Sequence, residues 1–370
     1  MRQNHPDISI NGNEERARNF IKKVSGKNCY FICVISYTET CEIPGITVAG
    51  ADAQLVKYTP AADAEFLYYG ECRCIDKVPA TPDGKPTPAL ITRAALKCAD
   101  IPLIVVDAGS KVKPDLPYVL LDLEHGKNIM HGRALDTSSV KKAYEKGVEL
   151  GSKLGKTMEY VVIGESIPAG TTTALGVLLA MGIDARYKVS SSMPENPHEL
   201  KLSTVEQGMK AAGITFGSLA NRPFEAVSHM GDPMIPAVAG IAVGASKSSS
   251  IMLAGGTQMA AVLSFMNAVD KDSLNNTVVC TTSYILDDSS SDIRHLINSV
   301  TNVPLLSFDP HLDRSSKEGL RAYANGFVKE GVGAGGACLA AMLKSNGKID
   351  ANKLLNEIEK EYERTIEHPS

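Results

Sequence analysis

Short runs of apolar residues alternate with segments of helical periodicity along most of the chain. A run that is apolar at every position is buried on both faces, which is typical of a strand in a parallel sheet covered by helices. The strict alternation of strands and helices favours a doubly wound, Rossmann-like α/β sheet that is mostly parallel. The strands are predicted at residues 30–36, 65–70, 101–107, 160–165, 250–253, 276–282 and 303–307.

Segments in which apolar residues recur every three or four positions predict the helices. They lie at residues 13–24, 89–98, 137–154, 171–181, 201–212, 234–244, 259–268, 291–300, 317–328, 337–344 and 352–363. Because the first and last helices need not lie against the sheet, we expect two unequal units. Residues 27–325 are expected to form a large α/β domain with the substrate site, and residues 1–26 with 326–370 a small helical lobe.

Composition and charge narrow the function to small-molecule chemistry. The chain has 370 residues, 44% of them hydrophobic and 22% charged, and its net charge of −4 offers no basic field for nucleic acid. Only 5% of the residues are aromatic and none is Trp, which argues against a base-stacking surface. The N-terminus lacks the apolar segment of a signal peptide, and the apolar runs are too short for a membrane span. We therefore expect a cytoplasmic protein with small-molecule substrates and no nucleic-acid or membrane partner.

The cysteines and histidines do not form a metal motif. Eight cysteines are scattered through apolar runs without C-x-x-C spacing, which indicates reduced, buried thiols. No two of the eight histidines have the H-x-x-x-H spacing of a helical metal site. We expect neither a protein-held metal nor a cofactor.

One predicted strand ends in a carboxylate and leads into a helix that begins with hydroxyl residues. The strand at 160–165 ends in Gly164 and Glu165, and Gly170, Thr171 and Thr172 open the next helix. Amides at a helix N-terminus together with hydroxyls make a site suited to phosphate. The alternative is a simple threonine cap with a solvated loop.

Other features are weaker on their own. Gly255 and Gly256 follow the strand at 250–253, but glycines are common in such turns for backbone reasons. Lys201, near the start of a helix, is either a phosphate contact or a solvated side chain. The proline-rich loop around residues 81–87 is either a ligand lid or a surface connection.

The stretch 327–336 places a carboxylate beside exposed backbone. Glu330 is followed by four glycines in six residues, and the apolar run after them predicts a helix. Glycines let the main chain approach a ligand closely, and amides at the start of a helix are free donors. Glu330 is therefore a candidate catalytic residue; the alternative is that it only caps the helix.

Taken in order, these motifs resemble the nicotinate-nucleotide:dimethylbenzimidazole phosphoribosyltransferase family, and within it the archaeal branch. The matching motifs are Gly164–Glu165 followed by Thr171–Thr172, then Gly255–Gly256, then Glu330-Gly331-Val332-Gly333-Ala334. The resemblance runs over nearly the whole chain.

The resemblance implies a reaction and a role for each site residue. The family transfers phosphoribosyl from nicotinate mononucleotide to an aromatic base, giving α-ribazole phosphate and nicotinate. It implies that Glu330 is the general base and that Lys201 contacts phosphate. It also implies a homodimer. The remaining substrate-binding residues that it implies are Gly164, Glu165, Gly170, Thr171, Thr172, Gly255, Gly256, Ser283, Gly331 and Gly333.

Two segments depart from the bacterial pattern of this family. Residues 166–169 replace a Gly-x-Gly-Asn run before the threonines, and Phe327, Val328 and Lys329 replace Arg-Leu-Gly before the glutamate. The second change alters the side chains expected over the aromatic base. The first motivates an alternative, a non-catalytic nucleotide-binding protein of the same fold.

Overall fold

The computed structural model of the protein describes residues 7–50 and 54–368. Its strands are β1 (Ile8–Asn11), β2 (Cys29–Ile35), β3 (Leu103–Asp107), β4 (Val119–Leu120), β5 (Tyr160–Ser166), β6 (Ser250–Ala254), β7 (Thr277–Thr282) and β8 (Leu305–Phe308). They form one sheet in the order β1-β8-β7-β6-β5-β2-β3-β4. β1 is antiparallel to β8, and the other neighbours are parallel. The predicted fold class is confirmed.

The helices cover both faces of this sheet. They are α1 (Glu14–Val24), α2 (Thr59–Tyr69), α3 (Ala89–Ala99), α4 (Thr137–Leu154), α5 (Gly170–Ala180), α6 (His198–Ala212), α7 (Pro223–Met230), α8 (Met234–Ser246), α9 (Met259–Val269), α10 (Ser283–Leu286), α11 (Ile293–Val300), α12 (Glu318–Arg321), α13 (Ala334–Lys344) and α14 (Ala351–Tyr362). Two large apolar cores result, one on each face, and a small third cluster contains Tyr37, Cys41, Ile46, Val56 and Ala169. Helices α4 to α9 and α11 pack in one core, and α1, α2, α3, α13 and α14 in the other.

Residues 65–70, predicted as a strand, belong to helix α2, so that prediction was wrong. The helix carries Pro60 in its first turn and ends at Gly70, which adopts the left-handed conformation that suits glycine at a C-cap. Residues 60–67 are all buried, so the helix has no polar side facing solvent and its sequence lacks the period of an amphipathic helix. An apolar segment without amphipathic period is easily mistaken for a buried strand.

The prediction of a continuous helix over residues 317–328 was also wrong. The segment forms the short α12, then one turn of 3₁₀ helix at Ala322–Asn325, and then a loop. Gly326 terminates the turn with a positive φ of 84°. The chain therefore reaches Glu330 through irregular backbone rather than from the end of a helix.

The division between residues 27–325 and the two terminal segments stays a prediction. In the structure β1 pairs with β8, and α13 packs in the same core as α3 and the strands of the sheet. Within residues 7–50 and 54–368, no helix is long and apolar enough to cross a membrane.

Candidate active site

A cavity open to solvent, with about 970 Å³ of empty space including its open mouth, lies at the carboxyl ends of β5 and β6, the edge where parallel α/β sheets bind ligands. Glu165 and Ser166 at the end of β5 line it, as do Gly256 and Gln258 after β6. Much of the remaining wall is apolar and suits a flat aromatic ring. The apolar lining residues larger than alanine are Ile46, Val48, Pro79, Pro86, Pro88, Ile167, Pro168, Ile285, Val328 and Val332.

Glu330 is partly buried at the edge of this cavity, and its carboxylate faces the start of α13. Oε1 accepts a hydrogen bond from the amide of Gly331 at 3.0 Å, and Oε2 accepts from the amides of Thr282 at 2.8 Å and Gly335 at 3.2 Å. Burial raises the pKa of Glu330 to about 7, against the effect of these amides, which stabilise the anion. Glu330 therefore caps the helix and also lines the cavity with a carboxyl group that ionises near neutral pH.

The loop that carries Glu330 has a strained backbone. Val328, Lys329 and Val332 have φ values of 60°, 60° and 51°, a left-handed region that residues other than glycine rarely occupy and β-branched valines least of all. Each such residue costs on the order of 1–3 kcal/mol and persists only where its surroundings hold it. The hydroxyl of Thr282 donates to the carbonyl of Lys329 at 2.7 Å, and that of Thr92 donates to the carbonyl of Val332 at 2.9 Å. The position of Glu330 is thus set by contacts with the sheet and with α3.

Glu165 is buried beside the Glu330 loop and is held by Gln258. Its Oε1 accepts from Nε2 of Gln258 at 2.5 Å, and its carbonyl accepts from the amide of Val332 at 3.1 Å. Burial, helped by the negative charges of Asp232 and Glu330, raises the pKa of Glu165 to about 8. Two carboxyl groups with raised pKa values therefore line the same cavity, which is common at catalytic sites.

The start of α5 forms another part of the wall. Gly170 and Thr171 line the cavity, whereas the side chain of Thr172 is fully buried beneath it. Ala169, in the segment that departs from the bacterial pattern, has a φ of 61° and lies at the N-cap position. The amides of Gly170 and Thr171 belong to the first turn, where N–H groups lack helical partners.

The two lysines singled out in the sequence do not line this cavity. Lys201 is 1% exposed, and its Nζ donates to the carbonyl of Ser190 at 2.6 Å and to Oδ1 of Asn196 at 3.1 Å. Burial, with the nearby charge of Lys329, lowers the pKa of Lys201 to about 7. Lys329 pairs with Asp288 at 3.0 Å, away from the cavity. Lys201 instead supports the segment 190–192, which does line it.

The glycines of the motifs serve different purposes. Gly256 and Gly331 line the cavity, but Gly164, Gly255 and Gly333 do not. Gly164 and Gly333 pack against each other, because a Cβ on Gly164 would lie 3.1 Å from Cα of Gly333 and 2.8 Å from Cζ of Phe31. These two glycines bring β5 and the Glu330 loop together.

Ser283 lies elsewhere, in a second cavity of about 1110 Å³ with a mostly polar wall. Beside it, ligand atoms of Asp309, His311 and Asp313 lie within 4.8 Å of one another. His311 is already paired with Asp7 at 3.2 Å and with Asp309 at 3.3 Å. The closeness of these side chains is therefore explained by the contacts of His311 with two carboxyl groups.

The comparisons with known proteins agree with this architecture. The family model DBI_PRT, a phosphoribosyltransferase model, matches residues 91–285. UPF0284 proteins of Methanothermobacter thermautotrophicus and Archaeoglobus fulgidus are each 47% identical to the chain, covering 88% and 91% of it and 90% and 94% of their own length. The chain belongs to this phosphoribosyltransferase family. The family predicted from the sequence is thereby confirmed, and its archaeal branch with it.

Two solved structures share the fold at low sequence identity. CobT from Thermus thermophilus is 16% identical with a TM-score of 0.58, over 93% of this chain and 92% of its own. A nicotinate-nucleotide-dimethylbenzimidazole phosphoribosyltransferase structure from the same organism is 18% identical with a TM-score of 0.54, over 90% and 91% of the two chains.

Three cavity residues of this phosphoribosyltransferase family member escaped the sequence analysis. Asp63, on α2, accepts hydrogen bonds from the hydroxyls of Thr87 and Ser166, both at 2.7 Å, and burial raises its pKa to about 6. Gln258 lies two residues after the glycine pair that was singled out. Lys85, in the proline-rich loop, is the cation among the described lining residues. The motif around the glycine pair gave a signal for Gln258, and the proline-rich loop, weighed as a ligand lid, gave one for Lys85; nothing in the sequence singled out Asp63.

Proposed function

We propose that the protein transfers the 5-phosphoribosyl group of nicotinate mononucleotide to a benzimidazole-type base. The observation that carries this proposal is Glu330, a carboxyl group with a pKa of about 7 on a cavity that also has an apolar wall and a helix N-terminus. Membership of the phosphoribosyltransferase family supports the class of reaction. The products would be α-ribazole phosphate and nicotinate.

In the proposed reaction, one ring nitrogen of the base attacks C1′ of the ribose. The bond from C1′ to the pyridinium nitrogen breaks, and its electron pair stays with the nicotinate ring, whose nitrogen becomes neutral. Glu330 accepts the proton from the other nitrogen of the base, which removes the positive charge that attack creates. Attack opposite the leaving group inverts C1′ and turns a β-nucleotide into an α-product.

The remaining groups bind and orient the two substrates. The amides of Gly170 and Thr171, with Lys85 across the cavity, are the proposed phosphate contacts, and the apolar wall with Val328 receives the base. The ionised forms of Asp63 and Glu330 give the lining negative charge near neutral pH, which suits the cationic pyridinium of the donor. Holding the reactants in line supplies much of the rate, because the leaving group is already activated.

A second candidate is nucleotide binding without transfer. It is favoured by the hydrogen bonds that already occupy both oxygens of Glu330, as in a helix cap. Incubation with nicotinate mononucleotide and dimethylbenzimidazole, assayed for α-ribazole phosphate, separates the two. We expect product from the wild type and a loss of roughly 10²–10⁴-fold in Glu330→Gln, with nucleotide binding kept.

Glu206→Gln is the matched control, because this glutamate is exposed on α6. Calorimetric binding of the mononucleotide without product from any tested base would favour the second candidate. The homodimer and the cytoplasmic location stay predictions; the elution volume of the purified protein tests the former.

A further inference from the structure

Gln258 carries a buried acceptor that no group of the described chain satisfies. The residue is 8% exposed and lines the cavity, and its Oε1 has no hydrogen-bond partner within residues 7–50 and 54–368. Buried polar atoms are paired in the great majority of cases, and leaving one unpaired is costly. An unpaired acceptor on the wall of a ligand cavity points to a donor that the ligand brings.

The orientation of this amide follows from its neighbour. Nε2 of Gln258 donates to Oε1 of Glu165 at 2.5 Å. Once Glu165 is ionised it can only accept hydrogen bonds, and the reverse orientation would then place the amide oxygen against the carboxylate, so the hydrogen bond to Glu165 assigns which end of the amide faces it. Oε1 then lies beside Gly256, where a Cβ would be only 3.1 Å away. The glycine leaves space next to the acceptor.

The chemistry of the proposed substrates identifies the missing donor. At neutral pH the phosphate and the carboxylate of nicotinate mononucleotide offer mainly acceptor oxygens. The ring N–H of the incoming base is the proton that Glu330 takes in the proposed reaction. The ribose hydroxyls are the donors that remain, and Oε1 of Gln258, oriented by the hydrogen bond from Nε2 to Glu165, is an unpaired acceptor for one of them.

We propose that Oε1 of Gln258 accepts a hydrogen bond from a ribose hydroxyl, so that Gln258 and Glu165 select a ribosyl donor over a deoxyribosyl donor. This inference rests on the proposed function and adds the sugar specificity of the same site. A site built around a hydroxyl rejects the analogue that lacks it, because its own polar group is then left unpaired.

The test compares kcat/KM for transfer to dimethylbenzimidazole from nicotinate mononucleotide and from its 2′-deoxy and 3′-deoxy analogues. We expect the wild type to prefer the ribosyl donor over one analogue by roughly 10- to 100-fold. In Gln258→Met, which keeps the length of the side chain and removes its hydrogen-bonding groups, the preference should fall to about twofold or less. This loss of preference should come from a lower kcat/KM with the ribosyl donor. An unchanged preference in this variant, or none in the wild type, overturns the inference.

Gln207→Met is the matched control, because Gln207 is exposed on α6 and should keep the wild-type preference. If Gln258→Met does not fold, as judged by circular dichroism, Gln258→Asn is used in its place. The shorter side chain of this variant keeps the amide group but moves it away from the sugar, and we expect the same loss of preference. If the wild type transfers no phosphoribosyl group, the proposed function fails while the inference is still decided by calorimetry. Ribose 5-phosphate should then bind more tightly than its 2-deoxy or its 3-deoxy analogue to the wild type alone, and equal binding of all three overturns the inference.

Discussion

At the scale of single residues, two opposing effects set the acidity of Glu330. Burial disfavours its charged form, and the amides of Gly331, Thr282 and Gly335 favour that form. Without the amides, burial would raise the pKa of Glu330 further, and the carboxyl group would keep its proton at neutral pH. Without burial, its pKa would be lower, and the carboxylate would be too weak a base for neutral pH. A pKa of about 7 combines a useful ionised fraction with a useful proton affinity.

The pH dependence of transfer follows from this balance. Glu330 must be ionised to accept a proton, and burial raises its pKa to about 7. We expect kcat/KM to fall about tenfold for each pH unit below this value and to level off above it. Glu330→Asp should retain a pH-dependent activity, whereas the residual rate of Glu330→Gln should not show the same step. A wild-type profile without a transition between about pH 5 and 8 would contradict the assignment of Glu330 as the base.

The scale of elements shows what the sequence could predict and what it could not. Continuous apolar runs identified the strands β2, β3 and β5 to β8. A strand that is buried on both faces is apolar at every position, and this pattern does not depend on which strands pair with it. The edge strand β1 has only four residues and gains its pairing from β8, which local pattern does not reveal. Asp63 lies just before residues 65–70, which were misread as a strand, and only as part of helix α2 does it contact Thr87 and Ser166.

Site residues in short motifs were easier to find than those assembled by the fold. Short motifs contain Glu165 at the end of β5, Gly170 at the start of α5 and Glu330 in the glycine-rich loop before α13, and the structure brings these residues to one cavity. Lys201 stands at a similar place in the sequence, yet its side chain turns inward to Ser190. The direction of a side chain depends on packing partners that are distant in sequence.

The shape of the loop at 328–333 depends on hydrogen bonds from residues outside the loop. We expect Thr282→Val, nearly the same size, to leave the carbonyl of Lys329 without its donor and to destabilise the protein by roughly 1–3 kcal/mol. Because that loop places Glu330, kcat should fall further than nucleotide affinity. Chemical denaturation and steady-state kinetics measure the two effects. Thr215→Val, at an exposed turn, is the control, and equal kinetics in both variants would show that Glu330 does not depend on this contact.

At the scale of the whole molecule, the cavity lies where the two apolar cores meet at one edge of the sheet. Loops from both layers reach it: α5 belongs to one core, and α2 and α13 to the other. Burial raises the pKa values of four carboxyl groups, those of Asp63, Glu165, Asp232 and Glu330. Ionisation of these buried carboxyl groups therefore lowers the stability of the folded protein.

The stability of the folded protein should change with pH through the ionisation of Glu165, because the pKa of this group differs between the folded and unfolded states. Its pKa rises from 4.5 to about 8 on folding, mainly because of burial, so the folded state binds the proton more tightly than the unfolded chain. This contribution is fully present below pH 4.5 and is lost as the pH rises towards about 8. We expect Glu165→Gln, which has no proton to lose, to gain stability relative to the wild type over this window, by up to roughly 1.4 kcal/mol per pH unit. Urea denaturation of both proteins at about pH 5 and pH 8 measures the change, with Glu206→Gln as the exposed control. A difference between Glu165→Gln and the wild type that is the same at both pH values would mean that the carboxyl group is not buried as the structure places it.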